Sequence, residues 1–144
     1  MSPPYSLLNA TCAARACAAY GDEAVAEQLM ANHGYVDQEK NSVLIAAASN
    51  GHDRLVEKLL LLRDVDVNQR NSLGCTPLFM AALKGHDKVV ELLMRIEGID
   101  PNRAMRNGFT PLNVACFNGH YTVVELLVGR EDVQVSLNSC RVVF

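Results

Sequence analysis

The sequence predicts an all-α solenoid of stacked helix pairs joined by hairpin-like finger loops. Three observations carry that reading. Gly51-His52, Gly85-His86 and Gly119-His120 recur at a constant 34-residue step, and a fixed period of that size is the signature of a repeat architecture. Thr76-Pro77-Leu78 returns as Thr110-Pro111-Leu112, and Val89-Val90-Glu91-Leu92-Leu93 returns as Val123-Val124-Glu125-Leu126-Leu127. Composition agrees with a folded domain: 144 residues, 49% hydrophobic, 20% charged and 6% aromatic.

Each repeated feature has a mechanical meaning. Thr76 and Thr110 stand at N-cap positions, each followed by a proline whose fixed φ suits the first helical residue. A short inner helix starts there, and Gly85 or Gly119 ends it about eight residues later in a left-handed turn. A second, outer helix follows, with Val89, Val90, Leu93 and Met94 at helical spacing and Lys88, Glu91 and Arg95 turned outward. The stretch from Arg95 to Gly108 holds Gly98, Pro101, Asn102 and Asn107, which break helices and leave a finger loop. One such pair is too thin to bury its own apolar stripe, so neighbours must stack, and Ala47, Ala48, Ala81, Ala82 and Ala115 let the backbones close.

The residues from Gly74 to His86 and from Gly108 to His120 resemble the ankyrin-repeat pattern Gly-x-Thr-Pro-Leu-His-x-Ala-Ala-x-x-Gly-His, and Lys40 to His52 resembles it more loosely. The expected organisation is one ankyrin-repeat domain over 1–144. It comprises a degenerate first copy at 1–36, clear repeats at 37–70, 71–104 and 105–135, and a C-terminal stub at 136–144. This chain departs from the pattern where Ile45, Phe79 and Asn113 replace its first histidine, which removes or replaces the turn-bracing bonds that the resemblance implies. The period is also one residue longer than the family's, the extra residue falling before Asn68 and Asn102.

Several chemistries are set aside. Thirteen Lys and Arg against sixteen Asp and Glu give a net charge of -3, which disfavours binding that depends on neutralising nucleic-acid phosphates. No apolar run approaches the ~20 residues a membrane helix needs. No secretory signal is read at 1–10. Five scattered cysteines, an odd number, suit a reducing cytoplasmic or nuclear compartment, with buried packing thiols as their expected role. Cys12 and Cys17 lack the spacing of a zinc site. His52, His86 and His120 fall in successive layers, too far apart to share one ion, so a structural role is expected. No Gly-x-Ser-x-Gly, phosphate-binding loop or dinucleotide fingerprint is present. No enzyme activity and no cofactor are therefore expected.

The resemblance implies a scaffold or adaptor that binds protein through the fingers and the exposed side of the inner helices. Carried over position by position, it puts Arg70, Ser72, Leu73, Cys75, Leu83 and Lys84 of one repeat on that surface. The next repeat supplies Arg103, Arg106, Asn107, Phe109, Phe117 and Asn118, and the preceding one Gln38, Glu39, Asn41, Ser49 and Asn50. Arg70, Lys84, Arg103 and Arg106 are basic with no acid among the mapped positions of those two repeats. The partner is accordingly expected to offer an acidic segment with an apolar anchor. An alternative is an inhibitor that occludes a folded enzyme, as small ankyrin inhibitors of cyclin-dependent kinases do. A further one is docking to protein phosphatase 1 through Arg141-Val142-x-Phe144 as an added strand. Self-association through the apolar C-terminal end is also expected, because repeat arrays usually finish on a polar face. The resemblance further marks Asn68 and Asn102 as positions open to asparagine hydroxylation, with loop bracing as their structural reading.

Overall fold

The computed structural model describes residues 37–62 and 65–135. Among them are six helices and no strands: α1 (Asp37–Ser49), α2 (Asp53–Leu60), α3 (Pro77–Lys84), α4 (Asp87–Met94), α5 (Pro111–Phe117) and α6 (Tyr121–Val128). Inner helices α1, α3 and α5 pack in one row and outer helices α2, α4 and α6 in a second, each pair antiparallel. The degenerate copy expected at 1–36, the stub at 136–144, Cys12, Cys17, Cys140 and the Arg141–Phe144 segment lie outside the described residues.

The caps start and stop the helices as their chemistry requires. Thr76 Oγ1 accepts the Phe79 N–H at 3.1 Å and Thr110 Oγ1 the Asn113 N–H at 3.2 Å, each with proline at the first turn. Each cap satisfies one amide that the helix itself leaves unbonded, worth about 1 kcal/mol. The inner helices end in identical turns: His52, His86 and His120 N–H donate to the carbonyls of Ala47, Ala81 and Ala115 at 3.1, 2.9 and 2.9 Å. Gly51, Gly85 and Gly119 take φ of 73°, 78° and 72° there, a region closed to most other residues.

The first described repeat departs from the expected plan. Ser42-Val43 stands where later repeats have Thr-Pro, so nothing forces a helix start, and α1 runs back to Asp37 over 13 residues. Gln38, Glu39 and Asn41 therefore lie on a helix and not on a finger loop.

Burial follows the repeat. Leu44, Leu78 and Leu112 are 0–1% exposed, as are Leu59, Leu93 and Leu127, so each layer adds the same leucines to one continuous core. Each fully buried leucine is worth about 1.5–3 kcal/mol. On α4, Val89, Val90 and Leu93 are buried as expected and Met94 is half-buried. Glu91 and Arg95 pair across one turn at 2.6 Å on the exposed side, a contact worth a few tenths of a kcal/mol.

Candidate functional site

Each finger is a tight turn held by its own backbone. Gly74 N–H donates to Asn71 O and Gly108 N–H to Met105 O, both at 2.9 Å. Asn71 and Met105 N–H close the turns by donating to Cys75 O and Phe109 O, also at 2.9 Å. Asn71 Oδ1 accepts from Leu73 N–H and Cys75 N–H, and Asn107 Oδ1 from Phe109 N–H, all at 3.0 Å. The second finger leans on the first: a Cβ at Gly74 would stand 3.0 Å from Arg106 Cγ.

Asparagines stitch one loop to the next. Asn68 Nδ2 donates to Gly98 O and its Oδ1 accepts the Asp100 N–H, both at 2.8 Å. One period on, Asn102 does the same to Asp132 O and Gln134 N–H, both at 2.7 Å. Their bracing role is thus visible, and the 34-residue interval between them was the signal in the sequence. Asn41 acts similarly, with Oδ1 accepting the Asp66 N–H at 2.8 Å, and it is buried.

The histidines join layers. His86 Nε2–H donates to Ser49 O and His120 Nε2–H to Leu83 O, both at 3.0 Å. Asn118 Nδ2 donates to the same Leu83 carbonyl at 3.1 Å. Both rings also lie against the preceding repeat's glycine: a Cβ at Gly51 would meet His86 Nδ1 at 2.6 Å, and one at Gly85 would meet His120 Nδ1 at 2.5 Å. Each glycine is needed twice, for its left-handed φ and for the ring above it. Among the described residues no group of His, Cys, Asp and Glu is placed to hold a metal ion.

The mapped surface residues divide into three sets. Arg70, Ser72, Leu73, Lys84, Arg106, Asn107 and Asn118 are exposed along the fingers and inner-helix ends. Phe109 and Phe117 are exposed and form a tilted aromatic pair, centroids 6.4 Å apart at 50°. Leu83 is half-buried against the core and Arg103 is half-buried at the finger base.

Three expectations need correction. Cys75 is not on the surface: it is 3% exposed inside the core, and burial pushes its thiol above the ordinary value. Arg103, expected on the surface, is half-buried beside an acid from outside the mapped positions. Its Nε lies 3.5 Å from Asp100 and its Nη1 donates to Asn68 O at 3.1 Å, which makes it partly a brace between fingers. Buried packing thiols hold at Cys75 and fail at Cys116, which is disulfide-bonded. An open depression of about 330 Å³, which sequence reasoning did not foresee, is lined by Asp66, Asn68, Gln69, Arg70 and Arg103. No described helix is long and apolar enough to cross a membrane.

A family model of ankyrin repeats in three copies matches residues 13–105 and again residues 44–139. A search of curated proteins finds no match.

Proposed function

The chain belongs to the ankyrin-repeat family, and on that premise we propose that it is a non-catalytic adaptor which grips an acidic segment bearing an apolar anchor. The family is one of protein–protein interaction modules, and repeat solenoids offer extended surfaces for that purpose. The observation that carries the finer reading is the exposed Phe109–Phe117 pair, with the exposed Arg106 three residues before Phe109 in the same finger. Arg70, Lys84 and Arg106 are exposed, and among the described residues none is paired with an acid. Exposed aromatics next to arginine are the residue types that dominate binding energy in interfaces. Unpaired cations steer an acidic partner to the surface and set its register. Ser72, Leu73, Asn107 and Asn118 complete the contact surface, and Arg103 borders it.

The test uses a fluorescent peptide of glutamates interrupted by one leucine, with a lysine-for-glutamate version as control. The acidic peptide is expected to bind more tightly, and more weakly as salt rises. Reversing Arg70, Lys84 and Arg106 to Glu should remove that preference while thermal unfolding stays unchanged. Equal binding of both peptides, or binding that survives the reversal, would sink this assignment.

A further inference from the structure

The open depression at the fingers is lined by two successive repeats: the turn from Asp66 to Arg70, and Arg103 of the next finger. The turn is held by its own bonds, with Asp66 O accepting the Gln69 N–H at 3.2 Å and Asp66 Oδ1 the Asn68 N–H at 3.0 Å. Asn41 ties it to the preceding layer by accepting the Asp66 N–H. The pair of arginines is a feature of this sequence and not of the repeat. One period after Arg70 stands Ala104, and one period before Arg103 stands Gln69.

The two guanidinium groups are held differently. Arg103 is fixed, its Nη1 donating to Asn68 O at 3.1 Å and its Nε lying 3.5 Å from Asp100, which leaves Nη2 without a partner among the described residues. Arg70 is exposed, and among the described residues no acid pairs with it. A donor already set in place lowers the ordering cost of binding, and a planar guanidinium matches a carboxylate through two parallel bonds. Gln69 Nε2 reaches Arg70 O only at 3.4 Å, longer than an ordinary hydrogen bond, so its amide can serve a ligand instead.

The acids restrict what fits. Asp100 is engaged with Arg103, and Asp66, exposed on the lining, adds an acceptor to a site otherwise rich in donors. A dianion such as phosphate has no donor for Asp66 and is repelled by it, whereas a neutral side chain leaves Arg70 uncompensated. One negative charge with an N–H close by suits both, and an acidic residue within a polypeptide has both. The volume of about 330 Å³ lies at the small end of the roughly 300–1,000 Å³ of ligand pockets, which suits a single residue.

We propose that this depression is a subsite for one aspartate or glutamate of a partner chain, its carboxylate taken by Arg70 and Arg103 and its main-chain N–H by Asp66. The subsite rests on the adaptor reading above and names the residues that fix the register of the acidic segment; Lys84 and Arg106 attract that segment without holding one residue of it.

The test titrates the full chain with N-acetylglutamate amide, which carries one carboxylate and main-chain amides, and follows the arginine Nε–H signals by NMR. N-acetylglutamine amide and inorganic phosphate are the comparison ligands. Saturable shifts are expected at Arg70 and Arg103 and not at Arg106, with the glutamine compound inert and phosphate weaker. Arg70→Gln, at an exposed position, should abolish saturation, and Arg103→Lys should weaken it at least fivefold. The fluorescent acidic peptide should lose at least tenfold in affinity with Arg70→Gln and threefold or less with Arg106→Gln. Equal shifts from the glutamine compound, shifts spread evenly over Arg106, or tighter binding of phosphate would overturn the subsite. A peptide that needs Lys84 and Arg106 but ignores Arg70→Gln would overturn the subsite and leave the adaptor reading standing. A peptide without charge preference, beside a glutamate compound that still saturates Arg70 and Arg103, would sink the adaptor reading and support the subsite.

Discussion

The junction between the second and third described repeats and the free face of the third are made from matching sequence, yet they are physically opposite surfaces. At the junction, Gly85 lies beneath His120, and Cys75, Phe79 and Val90 are sealed. At the free face Gly119 is bare among the described residues, and Phe109 and Phe117 stand in solvent. Burial in a stacked array is thus a property of a residue's place in the row as much as of its chemistry. The same position holds a core cysteine in one layer and an exposed phenylalanine in the next.

The sharpest way to break this comparison is a pair of truncations. Leu93→Ala, in the core of the second described repeat, should cost about 2–5 kcal/mol in urea denaturation. Phe117→Ser, 56% exposed on the free face, should stay within about 0.5 kcal/mol. Similar losses would mean that the free face is covered. Next in size are the glycines. Gly119→Ala should cost about 1–2 kcal/mol for its left-handed backbone alone. Gly85→Ala should exceed that by about 1 kcal/mol or more, because its methyl also collides with the His120 ring; equal costs would deny the ring its role at the junction.

Thr76→Ala should cost about 1 kcal/mol through loss of the N-cap bond, read as a lower thermal midpoint. The smallest effect concerns Cys75. Burial raises its folded thiol pKa above the unfolded value, so its contribution is complete below the unfolded value and is lost as pH climbs through the raised one. Stability should therefore fall slightly in the alkaline range, and Cys75→Ser should flatten that fall. A thiol reagent should meanwhile label Cys75 only after unfolding.

Much of the fold was legible because its signals are local. Thr76-Pro77 begins a helix, Gly85 ends it, and Val89, Val90 and Leu93 mark the buried side through helical spacing alone. The site was less legible because its signals are not. Cys75 and Phe109 share a register position, and the family pattern assigns both to the binding surface, yet only one has a described repeat stacked on it. Arg103 reads as a free cation until the loop brings Asp100 and the Asn68 carbonyl beside it. Gln38 and Glu39 read as finger residues until the missing Thr-Pro lets α1 run through them.

By itself the amino-acid order determined the period, the caps, the turns and the family, since each depends on contacts within a few residues of chain. The stacking alone decided which leucines, phenylalanines and arginines meet solvent. Exposure depends on what the neighbouring layer covers, and that layer's contacts come from residues about 34 positions away.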